Sequence, residues 1–95
     1  MGASEWREFW RDRGIRELRA LLDACWPPPT SAQAAAREAC AFRIASLLGS
    51  RAPRDAIADE LARIRRDELG LRPEPHEDDH AASRIANWFA EAAAS

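Results

Sequence analysis

One short stretch of the chain carries residues suited to metal chemistry, namely His76-Glu77-Asp78-Asp79-His80. It matches the H-E-x-x-H pattern, in which two histidines on one helical face bind zinc and the glutamate activates a water molecule. The stretch directly follows Pro75, however, and a catalytic zinc needs a third protein ligand, for which only Glu91 remains further along the chain. We therefore expect an acidic, solvated first turn of a helix, with His80 near Arg84. A metal-dependent hydrolase remains a remote alternative.

Cys25 and Cys40, together with His76 and His80, have the ligand types of a structural zinc site, but the cysteine spacing is unlike a C-x₂₋₄-C knuckle. A disulfide is also disfavoured, because Cys40 would lie roughly 12 Å along its helix from the proline turn, at 1.5 Å per residue. We predict that both cysteines are small buried hydrophobic residues and that the chain has no metal or other cofactor. With no G-x-S-x-G or glycine-rich phosphate motif in the sequence, we also predict that it is not an enzyme.

Three arginines, Arg63, Arg65 and Arg66, follow a segment that resembles the first helix of a helix-turn-helix motif. That motif requires a tight turn soon after Leu61, whereas the sequence continues in helical character. Acidic neighbours interleave with these arginines, and the formal net charge is −2. Because the domain has no basic excess, we expect its partner not to be a nucleic acid, and we keep a small DNA-binding regulator as the second hypothesis.

The aromatic side chains are more informative about a binding partner than the arginines are. Trp6, Phe9 and Trp10 share one arc of the first helix. Phe42 falls on the face of its helix opposite to the apolar stripe, so this helix is either buried on two sides or shows an aromatic ring to a partner. Most of the aromatic residues are expected in the core of so small a domain. These four are our candidates for a partner-binding surface, because aromatic and arginine side chains are enriched where proteins bind each other.

The composition determines which elements can position these side chains. Lys, Val and Tyr are absent, and all 14 basic residues are Arg. The chain is therefore poor in strand-forming residues and dominated by helix formers. We predict a single all-α domain over residues 1–95, a small bundle or orthogonal array of four main helices at about 5–25, 31–48, 53–69 and 75–94.

Glycines and capping residues set the predicted helix boundaries. Gly14 predicts a break or bend in the first helix, because glycine is unfavourable in a helix interior. Thr30 and Gln33 form a capping-box pattern for the second helix. Gly49 and Gly70 are predicted C′ residues after the second and third helices. No stretch approaches the roughly 18 apolar residues of a spanning helix, and charges interrupt the N-terminal region, so we expect a cytoplasmic protein without membrane contact.

Two segments, Leu21 to Pro28 and Ile57 to Leu71, carry a resemblance to a known family. The first helix ends in Trp26-Pro27-Pro28, the second carries Glu38 and Phe42, and Ile57 to Ile64 follows the pattern Ile-Ala-x-x-Leu-x-x-Ile. In these features the chain resembles the small all-helical bacterial proteins called domain of unknown function 1871, over about half its length. Pro27 stands where that family has Asp, and Phe42 where it tends to have Tyr. The resemblance implies a helical fold and no particular activity.

The functional hypothesis from these observations is a non-enzymatic bacterial protein that binds another protein or a second copy of itself. An immunity or antitoxin protein, which binds and sequesters one partner, is the form of this hypothesis that we favour.

Overall fold

The computed structural model describes residues 3–26 and 34–94, and every regular element in these ranges is helical. The first helix, α1, consists of three consecutive segments: α-helical Ala3–Phe9, π-helical Trp10–Gly14 and α-helical Ile15–Cys25. The other three helices are α2 (Ala34–Gly49), α3 (Arg54–Asp67) and α4 (Pro75–Ala94). The predicted all-α class and the four main helices are thus confirmed. In the part of the chain that is described, no helix is both long enough and apolar enough to cross a bilayer.

The four helices surround one hydrophobic core. Consecutive helices pack against each other, and α1 also packs against α4, so that the arrangement closes on itself. In each helix, apolar residues that recur every three or four positions form a stripe, and these stripes point inward, as expected for amphipathic helices. The core residues from these stripes are Leu18, Leu22, Cys40, Ile44, Leu48, Ile57, Leu61, Ile64, Ala81 and Ile85.

Helix α1 continues through Gly14, so the break predicted there is wrong. Gly14 has helical dihedral angles (φ −58°, ψ −52°) and ends the π-helical turn. A Cβ atom at this position would lie 2.8 Å from ring atoms of both Phe9 and Trp10. The glycine therefore allows two aromatic rings to pack directly on the backbone.

The helix boundaries agree with the predicted ones to within a few residues. The capping pair Thr30 and Gln33 lies outside the described residues. Gly49, predicted to follow α2, is instead its last residue, and the left-handed conformation falls on Arg51 (φ 61°). The amides of Arg51 and Ala52 donate to the carbonyls of Leu48 and Leu47 at 3.1 and 2.9 Å, the hydrogen-bond pattern of a Schellman motif. Gly70, after α3, adopts the positive φ that was expected of it (64°).

Candidate functional site

The outer face of α2 exposes a large hydrophobic side chain, Phe42, whose exposed fraction is 56%. The helical period accounts for this placement. Cys40, Ile44 and Leu48 lie on the face of α2 that is buried in the core, and Phe42 lies on the other side of the helix with Ser46, which is also exposed. The helical period that places Cys40, Ile44 and Leu48 in the core thus places Phe42 on the solvent side of α2.

Phe42 lines an open groove of about 610 Å³ on this face. Helix α2 and the residue after it contribute Phe42, Arg43, Ser46, Leu47 and Ser50, and α3 contributes Glu60. We call these six residues the α2 surface. The groove is wide open to solvent, which suits a side chain of another polypeptide better than an enclosed small molecule.

An ion pair between α1 and α2 lies beside Phe42. Arg19 donates a hydrogen bond to Glu38, and both side chains are about half exposed. The guanidinium carbon of Arg19 lies 5.9 Å from the centroid of the Phe42 ring, within cation–π range. This contact orients Phe42 on the surface without covering it.

A second charge network includes Arg43 and Glu60 of the α2 surface. Arg43 Nη1 lies 2.8 Å from Glu68 Oε2 and 4.0 Å from Glu60 Oε1. Arg63 donates to both carboxylate oxygens of Glu60, at 2.6 and 3.1 Å. The hydrogen bond from Arg63 is the main reason why the pKa of Glu60 lies below its usual value. Positive and negative groups are therefore paired both beside Phe42 and around Arg43 and Glu60.

The other three candidate residues, Trp6, Phe9 and Trp10, lie elsewhere, in an aromatic cluster with Trp88 and Phe89 of α4. The ring centroids of Trp6 and Phe89 are 5.3 Å apart, and those of Trp10 and Phe89 are 6.0 Å apart. Phe9 is buried, whereas Trp6 and Trp10 are half-buried. The structure thus separates the predicted partner-binding residues into an intramolecular cluster and the exposed Phe42.

The H-E-x-x-H stretch forms the first turns of α4, as expected, and both of its histidines are exposed. Within residues 3–26 and 34–94, no group of three His, Cys, Asp or Glu side chains is placed to hold a metal ion. The expectation of a fully solvated turn is wrong for Asp78, which is only 2% exposed.

Asp78 belongs to a buried polar network that the sequence did not reveal. Its Oδ1 atom accepts hydrogen bonds from Trp26 Nε1 at 2.7 Å and from Arg65 Nε and Nη2 at 3.2 and 3.0 Å. The Arg65 guanidinium carbon also lies 5.3 Å from the centroid of the Trp26 ring, and Nη2 reaches Glu77 at 3.2 Å. The network joins the end of α1 to α3 and α4. Trp26 and Asp78 are 52 positions apart, so no local pattern could have paired them.

The three arginines considered for nucleic-acid binding are all engaged with carboxylates. Arg63 binds Glu60, Arg65 is buried against Asp78, and Arg66 Nε lies 2.8 Å from Asp67. They lie on one continuous helix, α3, as the sequence predicted. The positive charges of this segment are therefore neutralised by neighbouring carboxylates. The expectation that the partner is not a nucleic acid stays a prediction.

The two cysteines are free thiols. Burial raises the pKa of Cys40 to about 12, and it also raises the pKa of Cys25. Cys40 is buried as predicted, but Cys25 is half-buried, with Sγ donating to the Leu21 carbonyl at 3.0 Å. Both thiols are therefore protonated at neutral pH, a state in which cysteine is a poor nucleophile and metal ligand.

Comparison with known proteins adds no further assignment, since neither a family model, nor a curated protein, nor a solved structure matches the chain. The resemblance to domain of unknown function 1871 accordingly stays a prediction.

Proposed function

We propose that this chain is a non-enzymatic protein-interaction domain that binds another polypeptide through the α2 surface. The observation that carries the proposal is the exposure of Phe42, 56% of whose surface faces solvent beside an open groove. A ring that is more than half exposed contributes little to the hydrophobic core, and aromatic side chains are enriched among the residues that contribute most to protein–protein binding.

The surroundings of Phe42 support a polypeptide as the ligand. Arginine is enriched at protein interfaces, and Arg19 and Arg43 flank the ring. Ser46 and Ser50 offer hydroxyl groups beside the apolar contact, which is the mixture of apolar centre and polar edge found in transient interfaces. The finer form of the proposal is an immunity or antitoxin type of protein that sequesters one partner in the bacterial cytoplasm.

The test is co-purification at native expression level of the tagged wild type and two tagged variants, each in the presence of an untagged copy of the same chain, followed by mass spectrometry. Phe42→Glu removes the ring and adds a charge, while glutamate keeps the helix favourable. Ala62→Glu adds the same charge at an exposed position of α3 and is the matched control. Both variants should fold, which circular dichroism and thermal unfolding will verify, because substitutions at exposed sites change stability little.

We expect a polypeptide in stoichiometric amount with the wild type and with Ala62→Glu, and its loss with Phe42→Glu. Equal recovery with both variants would refute the assignment to the α2 surface. Recovery of no stoichiometric polypeptide with the wild type would refute the proposed function itself.

A further inference from the structure

We infer that His76 and His80, on the exposed side of α4, form a two-histidine binding site for a divalent transition-metal ion of the Ni²⁺, Cu²⁺ and Zn²⁺ class. The site is separate from the α2 surface, so the inference does not depend on the proposed function. It departs from the expectation, drawn from the sequence, that the chain has no metal.

The two histidines are placed to bind one ion together. They are four positions apart in the regular α-helix Pro75–Ala94, and side chains at this spacing lie on one face of a helix, with Cβ atoms about 5–6 Å apart. Both side chains are exposed, so an ion can reach both imidazole rings from solvent. Imidazole nitrogen is a ligand that suits these three ions, and the H-E-x-x-H motif uses the same spacing to bind zinc.

The first turn of α4, which carries the pair, is anchored to the rest of the fold. Asp78 lies between the two histidines in the sequence but on the opposite face of the helix, where its buried side chain accepts hydrogen bonds from Trp26 and Arg65. Its amide donates to the carbonyl of Glu74 at 3.0 Å and so closes the first turn. A frayed helix end would separate the two ligands, and this buried network holds the backbone that positions them.

The charges near the pair favour a cation. From Glu74 to Ser83 the chain contains four acidic residues and no arginine. Glu77 and Asp79 are exposed in the same turns of α4, and each also contacts one arginine of α3. Arg84, one turn beyond His80, is the next positive residue along the helix. The carboxylates therefore offset the positive end of the helix dipole, which by itself would repel a metal ion.

A two-histidine site differs from a catalytic zinc centre. A catalytic zinc has three protein ligands, whereas in the described part of the chain no third side chain joins this pair in a metal-binding group. Water would complete the coordination of the ion. The inference therefore adds an exchangeable metal site on the surface of α4 and adds no hydrolase activity.

The experiment is isothermal titration calorimetry of the untagged chain with NiCl₂. His76→Gln and His80→Gln each remove one ligand. The matched control, His80→Gln/Asn87→His, keeps two histidines at exposed positions of α4 but separates them by about 16 Å along the helix, at 1.5 Å per residue. Cys25→Ala tests the half-buried thiol as a competing ligand. Circular dichroism and thermal unfolding will verify that every variant folds.

We expect the wild type and Cys25→Ala to bind one Ni²⁺ per chain. The dissociation constant should rise by at least about tenfold in both single histidine variants and in the control with separated histidines, because two linked ligands hold an ion more tightly than either does alone.

A wild type that binds no Ni²⁺ at millimolar concentration would overturn the inference. Affinity in the histidine variants equal to that of the wild type, or binding that disappears in Cys25→Ala, would also overturn it. None of these results would affect the proposed function, which is tested separately through Phe42.

Discussion

At the scale of single residues, the buried network of Trp26, Arg65 and Asp78 is the part of the fold most sensitive to substitution. Arg65 is 7% exposed and Asp78 is 2% exposed, so each charge depends on the other for compensation. A buried charge that loses its partner keeps its desolvation cost and destabilises strongly, even where the intact pair contributes little net stability. The network is therefore important mainly because breaking it leaves a buried charge without a partner.

We predict that Asp78→Asn lowers the free energy of unfolding by about 3 kcal/mol, because Arg65 then keeps only the partly exposed Glu77 as a carboxylate partner. The neighbouring Asp79→Asn is the matched control. Asp79 makes an exposed ion pair with Arg54, so its loss should cost less than about 1 kcal/mol. Urea unfolding at neutral pH measures both values, and equal effects of the two substitutions would contradict the role assigned to Asp78.

The ionisation of Glu17, which accepts a hydrogen bond from Trp88 of the aromatic cluster, makes the stability of the protein depend on pH. Hydrogen bonds from Arg13, and then from Trp88 Nε1 at 3.0 Å, hold the pKa of Glu17 below its ordinary value of 4.5. A carboxyl group whose pKa is lowered in the folded state contributes stability above its unfolded pKa, and this contribution disappears as the pH falls through the folded pKa.

We therefore predict that Glu17→Gln is less stable than the wild type at neutral pH and that this difference shrinks as the pH falls below about 4.5. Unfolding by urea at a series of pH values measures it. Glu8→Gln, which removes one negative charge from an exposed position of the same helix, controls for net charge. A difference between Glu17→Gln and the wild type that does not change with pH would refute the linkage.

At the scale of helices, the π-helical turn of α1 shows how tertiary packing overrides local preference. Glycine is about 1 kcal/mol less favourable than alanine inside a helix, and on that basis alone Gly14 predicts an interruption. The structure keeps the helix because the missing Cβ leaves room for the rings of Phe9 and Trp10. These rings are held by Trp88 and Phe89 from the opposite helix, so they have little freedom to yield.

We predict that Gly14→Ala destabilises the protein by about 1–3 kcal/mol, since the overpacking outweighs the gain in helix propensity. Gly49→Ala is the control, because a Cβ atom there would meet the Trp6 ring at an ordinary 3.6 Å. Thermal unfolding should show a lower Tm for Gly14→Ala and an unchanged or higher Tm for Gly49→Ala. A Gly14→Ala variant as stable as the wild type would show that the close approach is not required.

Some features of the helices could be predicted from the sequence, and others could not. Helix positions, the inward stripes and the place of Phe42 opposite its stripe follow from the 3.6-residue period, which the sequence displays directly. The period left open whether that second face is buried or exposed, and the structure shows that Phe42 is exposed. The burial of Asp78, the ring contacts of Gly14 and the left-handed Arg51 do not follow from it. Each of these depends on contacts across helices or on how one particular helix end is closed, and neither is encoded in a local pattern.

At the scale of the whole molecule, the aromatic residues have two distinct roles. Trp6, Phe9 and Trp10 pack with Trp88 and Phe89 and join α1 to α4, so their large apolar area is used within the domain. Phe42 lies apart from that cluster and faces solvent on α2. We infer that this exposed ring marks the surface that contacts another polypeptide.

Site-specific photo-cross-linking in cells can identify the polypeptide that contacts Phe42. Phe42 is replaced by benzoylphenylalanine, which keeps an aromatic group in place, and Ala62 is replaced in the same way as the control. Irradiation should join position 42 to one dominant polypeptide, either another protein or a second copy of the chain, and should leave position 62 without that adduct. Equal adducts at both positions, or no adduct at position 42, would contradict the assignment of the α2 surface as the binding site.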